Sequence, residues 1–188
     1  MTVARVDTLT SLRSRKLEVA AATRPVNGDG AMPKADALYD RDFVLWTEEQ
    51  AAALRRAKGS NLPLDWENLA EEIESLGKSD RRELRSQITR ILRHFLKLAV
   101  SPTLEPREGW RSTIRDARLE IEGVLEDSPS LRREIPDIVL GQSASAAKLA
   151  AADLAEHGEP TDAVWAWLQG AGFTAEQVVG DWFPEPPG

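Results

Sequence analysis

The sequence predicts an all-α fold, a compact bundle of about five to seven helices arranged around one long central helix. Three observations lead to this prediction. Apolar residues recur every three or four positions through most of the chain, which is the spacing of one helix face. No convincing stretch alternates apolar and polar residues with the period of two that a half-buried strand shows. Residues 79–100 carry an apolar stripe wide enough to be covered on more than one side, so we predict that they form the central helix.

Length and composition exclude several classes of protein. The 188 residues suit one domain that buries a substantial core. The chain has no cysteine, which excludes disulfides and thiolate metal sites and is typical of a cytoplasmic protein. No apolar run approaches the roughly 18 residues of a transmembrane helix, so we expect no membrane association. A net charge of −7 argues against nucleic acid as a partner.

The chain divides by composition into three segments. Residues 1–38 include the run TRPVNGDGAMPKAD, whose glycine, proline and small residues predict a flexible or disordered N-terminal extension. Residues 39–184 are predicted to form the helical-bundle domain, and residues 185–188 a short tail. A second interpretation of the N-terminus is that translation starts at Met32, just before the first strong helix pattern.

The first two helices are predicted on either side of a proline-containing turn. The first runs from Tyr39 to Lys58. Its predicted core stripe consists of Phe43, Trp46, Ala53 and Leu54. The second is an acidic helix over residues 65–77, which Asp65 caps and Gly77 ends. Its predicted core stripe consists of Trp66, Leu69, Ile73 and Leu76.

The central helix follows, and the elements after it are shorter. The core stripe of the central helix consists of Leu84, Ile88, Ile91, Phe95 and Leu98. A further helix is predicted from about Glu108 to Glu126. Ser128 and Pro129 start the next helix, which Pro136 interrupts or restarts. The last residues predict two short helices whose aromatic side chains cover the bundle: Trp165, Trp167, Phe173, Trp182 and Phe183.

The charge along the chain changes sign at Gly77-Lys78-Ser79. Residues 65–77 hold five acidic residues and no basic one, whereas the central helix is rich in arginine. We therefore predict that the two helices pack side by side and pair their opposite charges along the flanks. This arrangement defines a candidate polar cluster, which consists of Glu71, Glu72, Glu74, Arg82, His94, Arg111 and Arg118.

An ion-pair network that orders the bundle is the favoured interpretation of this cluster, ahead of a metal site. Carboxylates and a histidine on facing helices can bind a divalent metal. However, the Glu-x-x-His motif of di-iron bundles is absent, and neighbouring arginines would compete with a cation for the carboxylates. We interpret His94 as a half-buried, hydrogen-bonded residue rather than a general base. No metal, no cofactor and no catalytic residue is therefore predicted.

Several motifs stand in an order that resembles a known family. They include Tyr-x-x-Asp-Phe-x-x-Trp at 39–46, Asp-x-x-Asn-Leu-x-Glu-Glu-Ile-Glu-x-Leu-Gly at 65–77 and Ser-Pro-Ser-Leu at 128–131. The chain is similar from about Tyr39 to Pro184 to the bacterial family called domain of unknown function 29. It departs at Ser143 and Ala147, where the family is expected to have a tyrosine and an arginine. The resemblance implies a small bacterial helical bundle without a known activity.

The expected function is that of a non-enzymatic interaction module, which binds an unknown protein partner or itself. The alternative is a small-molecule or metal-dependent enzyme with a site between the acidic helix (65–77) and the basic helix (79–100). A weaker third function is nucleic-acid binding through Arg90, Arg93, Lys97 and Arg107. The sequence contains no nucleophile motif, cofactor motif or metal-ligand pattern, and this favours the interaction module.

Overall fold

The computed structural model describes residues 34–58, 62–170 and 172–187, and within them it contains helices and no strand. The seven α-helices are α1 (Lys34–Arg41), α2 (Phe43–Ala57), α3 (Trp66–Val100), α4 (Arg107–Asp127), α5 (Ile135–Glu156), α6 (Asp162–Gln169) and α7 (Ala175–Val179). The predicted all-α fold with a long central helix is confirmed. The predicted N-terminal extension lies mostly outside the described residues, which include only residues 34–38 of it, as part of α1.

The central helix, α3, is 35 residues long, which at 1.5 Å per residue is about 52 Å. All five residues of its predicted core stripe, from Leu84 to Leu98, are fully buried. Helices α2, α4 and α5 each pack against α3, so its wide stripe is covered from several sides, as predicted. Asp65 accepts a hydrogen bond from the backbone N–H of Asn68 and caps the helix start, which is also as predicted.

Helix α4 lies antiparallel to α3. At its start, Arg107 Nη2 donates to the carbonyl oxygen of Leu98 at 2.8 Å, near the end of α3. Just after its end, Ser128 Oγ donates to Asp80 Oδ2 at 3.3 Å. Helix α4 therefore accompanies α3 from Leu98 back to Asp80. Four apolar residues at helical spacing along α4 are buried, namely Ile114, Ala117, Ile121 and Leu125, and Trp110 is half-buried.

Helix α5 runs parallel to α3. Beside its start, Arg81 Nε donates to Glu134 Oε1 at 2.9 Å, and near its end Asp153 pairs with Arg93. Like α4, it therefore accompanies α3 only from about Asp80 onward. The remaining part of α3, residues 66–77, extends beyond both helices and packs against α2. We call α2 together with residues 66–77 of α3 the arm, and the rest of the bundle the body.

Two prolines divide the segment that follows α4. Pro129 opens a 3-10 helix (Pro129–Glu134), and Pro136 lies in the first turn of α5. A proline at the start of a helix lacks only an N–H that would have no partner within that helix. The predicted restart of the helix at Pro136 is therefore confirmed.

Helix α3 continues through Gly77, so the predicted helix end at this residue is wrong. Gly77 is buried where α3 contacts α2, and a Cβ atom built on it would lie 2.4 Å from Thr47 Oγ1. The glycine is explained by the close approach of two helices and not by a left-handed helix end. The acidic and basic segments are consequently successive parts of one helix. The prediction that they pack side by side is also wrong.

The contact between α2 and α3 uses small residues instead of the predicted apolar stripes. Thr47 and Ala51 of α2 and Ala70 and Gly77 of α3 are buried. The residues predicted as core in these segments are half-buried or exposed, and Leu69 is 42% exposed. Small side chains let the two backbones approach closely, which places the larger neighbours on the flanks of the contact. The core assignment was therefore wrong for the arm.

Aromatic residues from the C-terminal segment cover the body, as predicted. The ring centroids of Phe173 and Trp182 each lie 5.2 Å from that of Phe95 on α3. Trp167 stacks on Phe173 at 4.3 Å. Trp165, which was predicted to join this cover, is 36% exposed. We call residues 172–187 the C-terminal cover.

Candidate functional site

The structure separates the residues of the predicted polar cluster. Glu71 and His94 both belong to α3 and lie about 34 Å apart along its axis, at 1.5 Å per residue. Three members of the cluster are exposed, namely Glu71, Glu72 and Arg82. Arg111 and Arg118 lie on α4, which does not reach the acidic segment of α3. The seven residues therefore do not form one site, and no cleft separates segments 65–77 and 79–100, because they belong to one helix.

Glu74 does belong to an ion-pair network, but its partners differ from those predicted. Arg55 Nη2 donates to Glu74 Oε2 at 2.6 Å, and Lys78 Nζ lies 2.9 Å from Glu74 Oε1. Arg55 and Lys58 also approach Glu67. The hydrogen bonds from Arg55 and Lys78 lower the pKa of Glu74 to about 2. Because these groups are exposed to solvent, the pairs add little stability, yet they mark the side of the arm on which its charges lie.

His94 is half-buried in the body, as predicted, and lies beside several cations. Its Nδ1 is shielded from solvent and has no hydrogen-bond partner among the described residues, so the predicted hydrogen bond is not found at this atom. Burial, followed by the charges of Lys97 and Arg93, lowers the pKa of His94 to about 4. The imidazole is therefore neutral at pH 7 and gives the body a buried group that resists protonation.

The protein is expected to lose stability because of His94 as the pH falls from about 6.5 to about 4. In this window the unfolded histidine binds a proton that the folded one excludes, which favours unfolding. With allowance for partial solvation, the loss is about 1–2 kcal/mol. Urea unfolding at several pH values should therefore show a flatter pH profile for His94→Gln than for the wild type. Equal slopes for His94→Gln and the wild type would contradict this expectation.

Arg118 lies beneath the C-terminal cover and away from the acidic segment. Its guanidinium donates to three backbone carbonyl oxygens at 2.7 to 3.0 Å, those of Gln177, Val178 and Trp182. The same guanidinium lies 4.9 Å from the ring centroid of Phe183, and that of Arg111 lies 5.9 Å from it. Both arginines thus hold the C-terminal cover on the body, which is a structural role.

Asp153 on α5 is the centre of a charged cluster that the sequence did not reveal. Its carboxylate accepts hydrogen bonds from Arg93 Nε at 2.7 Å and from Lys97 Nζ at 2.9 Å. Lys97 is buried, and its ammonium lies 4.7 Å from the ring centroid of Trp110. Although burial opposes the shift, the hydrogen bonds from Arg93 and Lys97 leave the pKa of Asp153 below its usual value. A single aspartate in an alanine-rich helix gives no periodic signal, so only its neighbours in space identify it.

Two of the motifs found in the sequence meet in space. Asp42, from the first motif, accepts hydrogen bonds from the backbone N–H and the hydroxyl of Ser130 at 2.7 and 2.9 Å. It also caps α2 by accepting from the backbone N–H of Leu45 at 3.0 Å. Ser128 Oγ accepts from the backbone N–H of Val44 at 3.2 Å. These motif residues therefore join the start of α2 to the turn after α4, and serve the fold.

The described surface offers little support for a small-molecule site. Two open depressions, of about 370 and 360 Å³, lie beside Arg85 and Glu134 and beside Arg90 and Arg93. Neither is lined by a residue of the predicted polar cluster. Within residues 34–58, 62–170 and 172–187, no three histidine, aspartate or glutamate side chains are grouped as a metal ion would need. None of the helices in these ranges has the length and hydropathy to cross a membrane.

The arm has two chemically different sides, which are clearest along α3. At about 100° per residue, Glu67, Glu74 and Lys78 fall on one flank of the contact line that joins Ala70 and Gly77. The large apolar residues of the segment fall on the other flank, and they are Trp66, Leu69, Ile73 and Leu76.

Helix α2 contributes to both sides of the arm. Arg55 pairs with Glu74, and Glu48 with Arg81, so these α2 residues lie on the charged side. Leu54 lies on the opposite flank of α2, at about 100° per residue. It therefore faces the same side as the apolar residues of α3. We call these five residues, which are Leu54, Trp66, Leu69, Ile73 and Leu76, the apolar face of the arm.

The apolar face is the strongest candidate interaction site on the described surface. Leu69 is 42% exposed and the other four residues are half-buried, whereas the core stripe of the body is fully buried. Helix α4 covers the same flank of α3 in the body and ends at the level of Asp80, so it does not reach the arm. The flank of α3 that α4 covers in the body therefore continues into the arm, where α4 no longer covers it.

Comparison with known proteins agrees with the motifs. The family model described as "Domain of unknown function DUF29" matches residues 38–171. No curated protein and no solved structure matches the chain. The matched range includes the arm and the main helices of the body, and it ends just before the C-terminal cover. The chain therefore belongs to the DUF29 family, whose shared domain has no known function.

Proposed function

We propose that this protein is a non-enzymatic interaction module and that the apolar face of the arm binds another protein. The exposure of that face is the observation that supports the proposal most. Five large apolar side chains lie together on one side of two helices, and none of them is fully buried. Contiguous apolar surface of this kind is typical of protein–protein contact sites, because its contact with water is unfavourable.

The position of the arm also supports this role. The two helices of the arm contact each other through small residues, and the side chains of the apolar face are half-buried or exposed. A partner on the apolar face would add burial at roughly 25 cal/mol per Å² of apolar surface. The arm extends beyond α4 and α5, and a partner would therefore reach it without displacing a helix of the body.

The charged residues of the body favour this function over nucleic-acid binding. Arg93 and Lys97, two candidates for phosphate contacts, both pair with Asp153. Arg107 is buried and donates to the carbonyl oxygens of Leu98 and Ser101. Three of the four candidate cations are thus engaged within the protein, which weakens the electrostatic term that phosphate binding requires.

Native mass spectrometry of the protein purified from its own host tests the proposal. The wild type is expected to carry a second, different protein chain, and Leu69→Asp is expected to lose it. Leu140→Asp is the matched control, because Leu140 is 79% exposed on α5 and lies outside the arm. Circular dichroism should show that both variants keep the helical fold.

Three results would overturn the proposal. They are a wild-type protein without a bound chain, a complex that persists in Leu69→Asp, and a stoichiometric metal ion or small molecule in place of a protein partner.

A further inference from the structure

We infer that the apolar face takes one amphipathic helix of a partner protein, with basic residues along the flanks of that helix. This inference rests on the proposed function and adds the chemistry of the partner. Two antiparallel helices form a groove in which a third helix can pack its apolar stripe. In the body, α4 packs on the same flank of α3. A partner helix on the arm would continue the path of α4 along α3, beyond the point near Asp80 where α4 ends.

The spacing of the apolar face matches one helix of about three turns. Trp66, Leu69, Ile73 and Leu76 extend over about 15 Å of α3 at 1.5 Å per residue. Leu54 borders them from α2. A helix with apolar residues at i, i+3 or i+4, i+7, and i+10 or i+11 presents a stripe of about this length. The face is therefore long enough for a short helical segment and does not require a folded domain.

Acidic residues border the apolar face and indicate the charge of the partner. Glu72 lies at the outer edge of the face on α3, at about 100° per residue, and Asp65 stands at its N-terminal end. Arg55 and Lys78 lie on the other side of the arm, where they pair with acidic residues. On the side of the apolar face, no arginine or lysine of the described arm pairs with these carboxylates. A partner would therefore meet them as negative charges. Lysine or arginine flanks on its helix would complement them.

The same charges argue against a second copy of this chain as the occupant. Two apolar faces brought together would place their acidic edges close to one another. Each chain also carries a net charge of −7, so the approach of two copies is opposed at longer range. A basic helix from another protein avoids both costs.

Trp66 gives the test a reporter within the face. Its Nε1–H is shielded from solvent and has no acceptor among the described residues. The magnetic environment of this N–H will change when a helix packs on the face. Trp165, which is 36% exposed on α6, is the matched reporter outside the arm.

The experiment is a titration of the full-length protein, labelled with ¹⁵N-tryptophan, with two synthetic amphipathic helices about four turns long. One has leucine on its apolar stripe and lysine elsewhere, and the other has glutamate in place of every lysine. The lysine peptide is expected to shift the indole resonance of Trp66, assigned with Trp66→Phe, and not that of Trp165. We expect it to bind at least about tenfold more tightly than the glutamate peptide at low salt.

Paired charge reversals separate a local effect from a general attraction between a basic peptide and an acidic protein. Glu72→Lys should weaken binding of the lysine peptide several-fold. Glu120→Lys, on the exposed surface of α4, makes the same change in net charge away from the arm and should have a much smaller effect.

Equal binding of the two peptides, a shift at Trp165 in place of Trp66, or equal effects of the two charge reversals would overturn the inference. These results would leave the proposed function standing, because that function requires only that some protein binds the face. A homodimer that Leu69→Asp dissociates in sedimentation equilibrium would also overturn the inference, since a second copy would then be the occupant. Absence of any partner chain on the host-purified protein would overturn both.

Discussion

Replacing Arg118 with methionine is expected to lower the free energy of unfolding by about 2–4 kcal/mol. The substitution removes three hydrogen bonds from one cation to the carbonyl oxygens of residues 177, 178 and 182, at 2.7 to 3.0 Å. It also removes the cation–π contacts of the guanidinium with Phe95 and Phe183, at 5.6 and 4.9 Å from the ring centroids. The C-terminal cover should then detach more often, because Arg118 is its main polar attachment to α4.

Urea unfolding and limited proteolysis with mass analysis measure the two consequences for Arg118→Met. Cleavage within residues 172–187 should become faster than in the wild type. Arg118→Lys should be intermediate, because an ammonium keeps the charge but cannot present the planar fork of a guanidinium. Arg115→Met is the control, since Arg115 is exposed on the same helix and pairs only with Glu108 among the described contacts, so it should change stability by less than about 1 kcal/mol. If Arg118→Met behaved like Arg115→Met, the proposed role of Arg118 would be wrong.

Gly77→Ala is expected to destabilise the protein by about 1–3 kcal/mol, although alanine favours helices over glycine by about 1 kcal/mol. The added Cβ would lie 2.4 Å from Thr47 Oγ1, and Thr47 is fully buried with this hydroxyl donating to the carbonyl oxygen of Val44. To admit the methyl group, either the Thr47 hydroxyl must turn away and lose its hydrogen bond to Val44, or the two helices must move apart. Urea unfolding measures the change in the free energy of unfolding.

A double-mutant cycle tests whether contact with Thr47 causes this loss. Thr47→Ala removes the hydroxyl group that the new Cβ would meet, so Thr47→Ala/Gly77→Ala should be more stable than the sum of the two single changes implies. Gly123→Ala is the matched control, because Gly123 lies within α4 with open space around it, and this change should stabilise by up to about 1 kcal/mol. A stabilising Gly77→Ala would show that α2 and α3 are not in such close contact.

The fold of the body was predictable because its signals are local and strong. The core stripe of the body repeats at helical spacing and consists of Leu84, Ile88, Ile91, Phe95 and Leu98. The helices packed against α3 bury this whole stripe, and they are α2, α4 and α5. The prediction for the arm failed where a local signal has two explanations. A glycine after an apolar run can end a helix or admit a neighbouring backbone, and the sequence around Gly77 does not distinguish these possibilities.

The residues of the candidate site were only partly predictable. The sequence picked out Trp66, Leu69, Ile73 and Leu76, but as core residues. Their position outside the core follows from the contact of Ala70 and Gly77 with α2. The spacing of hydrophobic residues identifies the apolar side of a helix. Whether another helix packs on that side depends on where the neighbouring helices end. The acidic residues at 65–77 were likewise identified, but the partners that the structure gives them lie outside the predicted basic helix (79–100), since Arg55 and Lys58 belong to α2 and Lys78 precedes that helix.

Three properties of this protein could be read from the amino-acid sequence: it is helical, its body is built around residues 79–100, and it belongs to the family that its motifs indicate. These properties depend on residue spacing within short segments. Helix packing in three dimensions was needed to establish that α3 is continuous, that Asp42 hydrogen-bonds to Ser130 and that Asp153 pairs with Lys97. It also decided that the apolar face of the arm is not fully covered. These features depend on which distant backbones approach each other, and that is set by the packing of all the helices together.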